Sequence, residues 1–160
     1  MKFAVASPAK QPKTKETENI AYILAFIFII MVVCQLFSFD ELLPLLSSLS
    51  LPGDRPTAYL LGGLIVTGEV LSLPFLLSMA MSQLMRFVSM VFCWFVPAIW
   101  IFLSIWQMIS NKSADNIGFL GTVVNIRSGW LATLYMLAVM VLSIWASWGM
   151  WPLDSRKKKN

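Results

Sequence analysis

A chain of 160 residues that is 58% hydrophobic and only 12% charged, with a mean hydropathy of +0.76, departs from soluble domains, which run roughly 45–50% apolar and about 25% charged. That arithmetic excludes a sizeable water-soluble catalytic domain and places the chain in lipid. With no histidine and with its two cysteines, Cys34 and Cys93, far apart, the chain also lacks the parts of zinc sites, Ser-His-Asp triads and CxxC redox pairs.

Residues 1–19 read as a polar tail. Four apolar runs follow, at 20–37, 58–79, 87–108 and 129–151, each near the roughly 20 residues a membrane-spanning helix needs. In hydrocarbon the backbone must satisfy its own N–H and C=O groups, so runs of this length are helices, whereas barrel strands are about half as long and alternate in polarity. The expected fold is all-α, a membrane-embedded four-helix bundle over residues 20–151, with a basic tail at 152–160. The first run is read as a retained helix rather than a signal peptide, because about 18 apolar residues exceed the usual ~7–15 and no A-x-A site follows. The stretch Met31-Val32-Val33-Cys34 is similar to a lipoprotein cleavage box, but Val33 is large where a small residue is needed.

In the first loop, Ser38-Phe39-Asp40-Glu41 has the spacing of a capping box. The leucines that follow, interleaved with Ser47, Ser48 and Ser50, predict a short helix lying along the headgroup boundary. Pro44 is expected to interrupt that helix or to sit in its first turn, and Pro52-Gly53-Asp54-Arg55-Pro56 to form a turn into the second span. Within that span Gly62, Gly63 and Gly68 offer close helix packing. Pro74 there, and Pro97 in the third span, each remove a backbone hydrogen bond and predict a kink. The third loop, 111–128, with Gly118 and Gly121, reads as a segment folded back onto the bundle. Trp130 at one end of the last span and Trp145, Trp148 and Trp151 at the other read as interfacial belts.

Nine of the twelve basic residues fall on one side of such a bundle: Lys2, Lys10, Lys13, Lys15, Arg86, Arg156, Lys157, Lys158 and Lys159. Arg55, Lys112 and Arg127 fall on the other, together with Asp40, Glu41 and Asp54. Short basic loops stay inside, so both termini are expected in the cytoplasm, as an even number of crossings allows. The basic tails set topology and meet anionic headgroups; nucleic acid is not an expected partner.

Glu69 is the residue to single out. A carboxylate facing acyl chains costs several kcal/mol, so Glu69 is expected to face the bundle interior. There it serves either as a proton-titrating or ligand-orienting group, or as a neutral acid that fixes helix packing. Arg86 is the tempting partner, yet it belongs to the cytoplasmic end, about 18 Å away at ~1.5 Å per residue. Thr67, Ser72, Ser89, Trp94 and Trp100 are the alternatives. Cys34 and Cys93 are expected to be free thiols, because their depths differ by about 8 Å and a disulfide needs Cα atoms within about 7 Å.

Several stretches together resemble the DoxX/MauE-like family of small four-helix membrane proteins. They are Phe37-Ser38-Phe39-Asp40-Glu41-Leu42, Gly68-Glu69-Val70-Leu71 with Pro74-Phe75-Leu76-Leu77, Arg86, and Asn116-Ile117-Gly118-Phe119-Leu120-Gly121. The resemblance implies a left-handed bundle in a bacterial or archaeal cytoplasmic membrane, in a family whose members include subunits of quinone-linked sulfur-oxidising enzymes and maturation factors for periplasmic redox proteins. It carries the family's intramembrane glutamate to Glu69 and its helix-three arginine to Arg86. Because the chain has no vicinal cysteines, the leading expectation is an accessory or structural subunit without catalytic activity of its own. Its partners would be the lipid bilayer and other membrane subunits or a second copy. The alternatives are a small proton-coupled transporter using Glu69 and a quinone-binding oxidoreductase subunit, with quinone as its cofactor.

Overall fold

The computed structural model describes residues 12–49, 51–110 and 115–151, with Asp54 by its backbone alone. The described residues form five helices: α1 (Lys15–Phe37), α2 (Phe39–Ser48), α3 (Asp54–Leu76), α4 (Gln83–Ile109) and α5 (Trp130–Gly149). α1, α3, α4 and α5 are each long and apolar enough to cross a membrane, and α2 is the short helix of the first loop. The bulk of the two tails (1–11 and 152–160), Ser50 and the stretch 111–114 lie outside the described residues.

The long helices form a ring in which α1 adjoins α3 and α5, and α4 adjoins α3 and α5. The ring arises from a repeated sequence spacing. Buried positions run Thr17, Ala21, Leu24, Phe28, Met31, Gln35 on α1, and Ala58, Gly62, Ile65, Glu69, Ser72, Leu76 on α3. They run Arg86, Met90, Cys93, Pro97, Trp100, Ser104, Gln107 on α4 and Ala132, Met136, Val139, Ser143, Ala146 on α5. Steps of four and three keep one seam turned toward the neighbouring helix. The outward faces are apolar too: Phe26, Leu60, Ile109 and Leu131 are among the large side chains left exposed. Water would penalise that surface, and acyl chains accept it.

The ends of the described chain meet at one end of the bundle, where Lys13 N donates to Gly149 O at 3.2 Å and Lys13 Nζ to Trp148 O at 3.2 Å. α1 starts there with its N-cap, Thr14 Oγ1 accepting from Thr17 N at 3.2 Å. Glu16 and Glu18 stand in its first turn, where the helix dipole favours negative charge.

Several boundaries differ from the sequence expectation. α3 starts at Asp54, so only Pro52 and Gly53 turn the chain and Pro56 sits inside the first helical turn, where its missing N–H leaves nothing unpaired. α3 ends at Leu76 rather than 79, because Ser78 adopts φ 52°, Ser78 N bonds Phe75 O at 3.1 Å and Met79 N bonds Pro74 O at 3.0 Å. This is a Schellman ending with serine in the left-handed position usually held by glycine. The capping box does not form: Ser38 gives α2 no side-chain cap, since its hydroxyl donates to Cys34 O at 2.9 Å and accepts from Thr122 N at 3.0 Å. Glu41 instead binds the Thr122 hydroxyl. Pro44 neither interrupts α2 nor occupies its first turn but sits at the sixth helical residue. The expected short helix of the first loop is present as α2 and rests on the bundle: Leu42, Leu43 and Leu46 are buried and the latter two pack over Gly62 of α3.

Candidate functional site

α3 brings Glu69 to the seam shared by α1 and α4, where its side chain is fully buried. α1 and α3 run antiparallel, and helical side chains lean toward their own N-terminus. Gln35, two residues from the end of α1, therefore reaches down while Glu69 reaches up, and the two meet. Gln35 Nε2 donates to Glu69 Oε1 at 3.0 Å and to the Phe119 carbonyl at 2.9 Å. One amide group thus ties α1, α3 and the α4–α5 loop together. Ser72 Oγ donates to the main-chain carbonyl of Glu69 at 2.6 Å. The Trp100 indole of α4 faces the same carboxyl, and its ring meets Phe119 edge-on at 5.0 Å.

Three polar atoms in this buried group have no hydrogen-bond partner: Gln35 Oε1, Glu69 Oε2 and Trp100 Nε1. Ser104, one turn further along α4, has an unpartnered hydroxyl as well. Buried polar atoms are paired in more than about nine cases in ten, so this concentration marks the place where the core is least satisfied.

Phe119 is positioned by a knot around Asn116. Asn116 Oδ1 accepts from Gly118 N at 2.9 Å, and its Nδ2 donates to Gly121 O at 2.9 Å and Asn125 Oδ1 at 3.1 Å. The segment then lies on the α1–α2 junction, which requires glycine at 121: φ is +58°, and a Cβ there would stand 2.0 Å from Ser38 Oγ and 2.8 Å from Cys34 O. The expectation that this loop folds back onto the bundle matches the buried Ile117 and Phe119.

The other sequence candidates are placed elsewhere. Arg86 is buried in the first turn of α4, 14 residues before Trp100 and hence about 21 Å along the helix, and is not brought to Glu69. Trp94 is turned away, its Nε1 donating to Ser147 Oγ at 2.8 Å. Ser89 serves Pro74's turn: its hydroxyl accepts from Phe75 N at 3.0 Å and donates to Leu71 O, inserting itself between two groups that an uninterrupted helix pairs directly. Pro97 lies buried within α4, which runs on through it. Of the small residues, Gly62 receives Leu43 and Leu46, and Gly68 receives Phe92 and Val96, whereas a Cβ on Gly63 would meet nothing within 4 Å. Gly63 therefore mediates no close approach among the described residues. Cys34 and Cys93 are free.

Beside Pro74 opens an apolar cleft of about 170 Å³ lined by Leu71, Pro74, Met81, Met85, Val88 and Ser89, below the roughly 300 Å³ at which ligand sites begin. A polar cleft of about 540 Å³ lies at the opposite end, between α2 and the start of α3, lined by Pro44, Ser47, Ser48, Arg55 and Tyr59. Glu69 lines neither. Among the described residues no three His, Cys, Asp or Glu side chains converge to hold a metal. Sequence reasoning missed Gln35 and Phe119; Gln35 was findable, because it occupies the next inward step after Phe28 and Met31 on α1. Comparisons of the chain with models of known protein families, with curated proteins and with solved structures find no match.

Proposed function

We propose that the chain is a multi-pass membrane protein of the cytoplasmic membrane, with both termini on the cytoplasmic side, acting as an accessory or structural subunit. In this reading it supports a redox or assembly complex, as its resemblance to DoxX/MauE-like proteins implies. The observation that carries the reading is the Gln35 amide, which bonds Glu69 and the Phe119 carbonyl at once. The chain's one intramembrane carboxyl is spent in joining three elements, away from both clefts described. A bundle so tied presents a fixed outer surface to a neighbour. Purification in mild detergent tests this: stoichiometric membrane companions are expected, and a lone monomer or dimer overturns it.

A second reading, a small proton-coupled transporter, is favoured by one observation, the unpartnered second oxygen of Glu69. It predicts that Glu69→Gln abolishes pH-dependent flux in proteoliposomes while fold and expression persist; wild-type vesicles without such flux retire it.

A further inference from the structure

Gln35 and Glu69 touch through one hydrogen bond, and the atoms each leaves unpartnered are the other two of the same two groups: the amide oxygen Gln35 Oε1 and the carboxyl oxygen Glu69 Oε2. Both are acceptors when the carboxyl is ionised, and two acceptors cannot satisfy each other. A single proton on Oε2 changes this, because a carboxylic acid and a primary amide are complementary, each giving one hydrogen bond and taking one.

We propose that Gln35 and Glu69 form a proton-binding site that latches the α4–α5 loop: one proton held on Glu69 Oε2 is donated to Gln35 Oε1, closing a two-bond ring with the Gln35 Nε2–Glu69 Oε1 bond. The ring fixes the amide plane, and the fixed amide aims its remaining N–H at the Phe119 carbonyl. On binding, an O–H bond forms at Oε2 with a proton taken from hydronium, which leaves as water. On release the same bond breaks and the proton returns to water. Oε2 then carries charge in a dry core where the Trp100 indole faces it without closing a hydrogen bond, which is strongly unfavourable, and opening toward water relieves it. The segment able to open is the one the amide holds, residues 116–126, which is anchored otherwise by its own Asn116 knot and by Thr122 on Ser38 and Glu41.

The groups facing the pair leave the proton as its only charge partner among the described residues. From α1, Cys34 precedes Gln35; from α4 come Trp100 and, two turns away, Cys93, which lies beside Ser143. From α5, Tyr135 rests on Phe119 at 6.2 Å, and from α2, Glu41 is engaged by Thr122. The inference goes beyond the subunit reading and does not depend on it.

The test uses the full chain in lipid nanodiscs. Infrared spectroscopy at neutral pH is expected to show the carbonyl stretch of a protonated carboxylic acid, absent in Glu69→Gln. As pH rises and that band disappears, amide exchange at 117–122, corrected for its intrinsic pH dependence, should quicken about tenfold, the equivalent of one hydrogen bond. In Glu69→Gln the new side-chain amide donates to the same Gln35 oxygen without a titrating proton, so its loop protection should stay flat with pH. A carboxylate band in place of the acid band, or equal quickening in both proteins, overturns the proposal. Should Glu69→Gln fail to fold, Gln35→Leu decides: the acid band should shift to that of an unpaired acid, and an unshifted band overturns the ring. Co-purification of companions is indifferent to these outcomes, so the latch and the subunit reading fail separately.

Discussion

α3 carries two buried polar junctions about a turn apart, and they are resolved in opposite ways. At Leu71 and Phe75 the Ser89 hydroxyl accepts one hydrogen bond and donates another, so every polar group involved is paired. At Glu69 the incoming side chain is an amide that uses both of its donors and neither of its acceptor's lone pairs, so oxygen atoms are left over on both sides. The serine contact bridges Phe75 N and Leu71 O, the pair parted just past Pro74, and it is complete in itself. The glutamate contact is conditional, complete only in one protonation state. Burial of polar groups alone therefore does not separate the two junctions; the pairing of each polar atom does.

Mutations sharpen this contrast, each read by thermal unfolding in mild detergent. Gln35→Leu should have the largest effect, a loss of at least ~2 kcal/mol, since both Glu69 and the Phe119 carbonyl lose their donor and each unsatisfied buried group costs ~1–3 kcal/mol. Gly121→Ala should follow at ~1–3 kcal/mol, because the added carbon meets the Cys34 main-chain carbonyl and the loop must lift; loop exchange should rise with it. Ser89→Ala should lose only ~1 kcal/mol, as Phe75 N–H and Leu71 O can close on each other, and a loss as large as that of Gln35→Leu would erase the distinction between the two junctions. Ser104→Ala removes a hydroxyl that bonds nothing and should stay within ~0.5 kcal/mol of wild type, as should Gly63→Ala at its open position.

Much of the fold was legible because lipid imposes a simple code. Four long apolar runs had to be helices, and the short helix and the folded-back loop followed from the leucine–serine pattern and the glycines. What was not legible depended on how the helices sit against one another. Ser89 could be matched to Pro74 only once the depth of α4 against α3 was known. Glu69 was prominent in sequence by its charge, whereas Gln35, neutral and near a helix end, drew no attention although it falls on the inward stripe of α1. Ser38 and Glu41 matched a local capping pattern, but a loop some eighty residues away supplied better partners, and long-range contacts of that kind leave no periodic trace.

The hydrogen bond between Lys13 and Gly149 has an engineering consequence. With its first and last helices touching, the bundle is close to a closed loop of chain, so a few linking residues could join them and the chain could be reopened between α2 and α3 without disturbing any helix neighbour. Such a permutant would keep the same four crossings and the same core yet emerge at the opposite face, separating what the packing demands from what the order of synthesis demands.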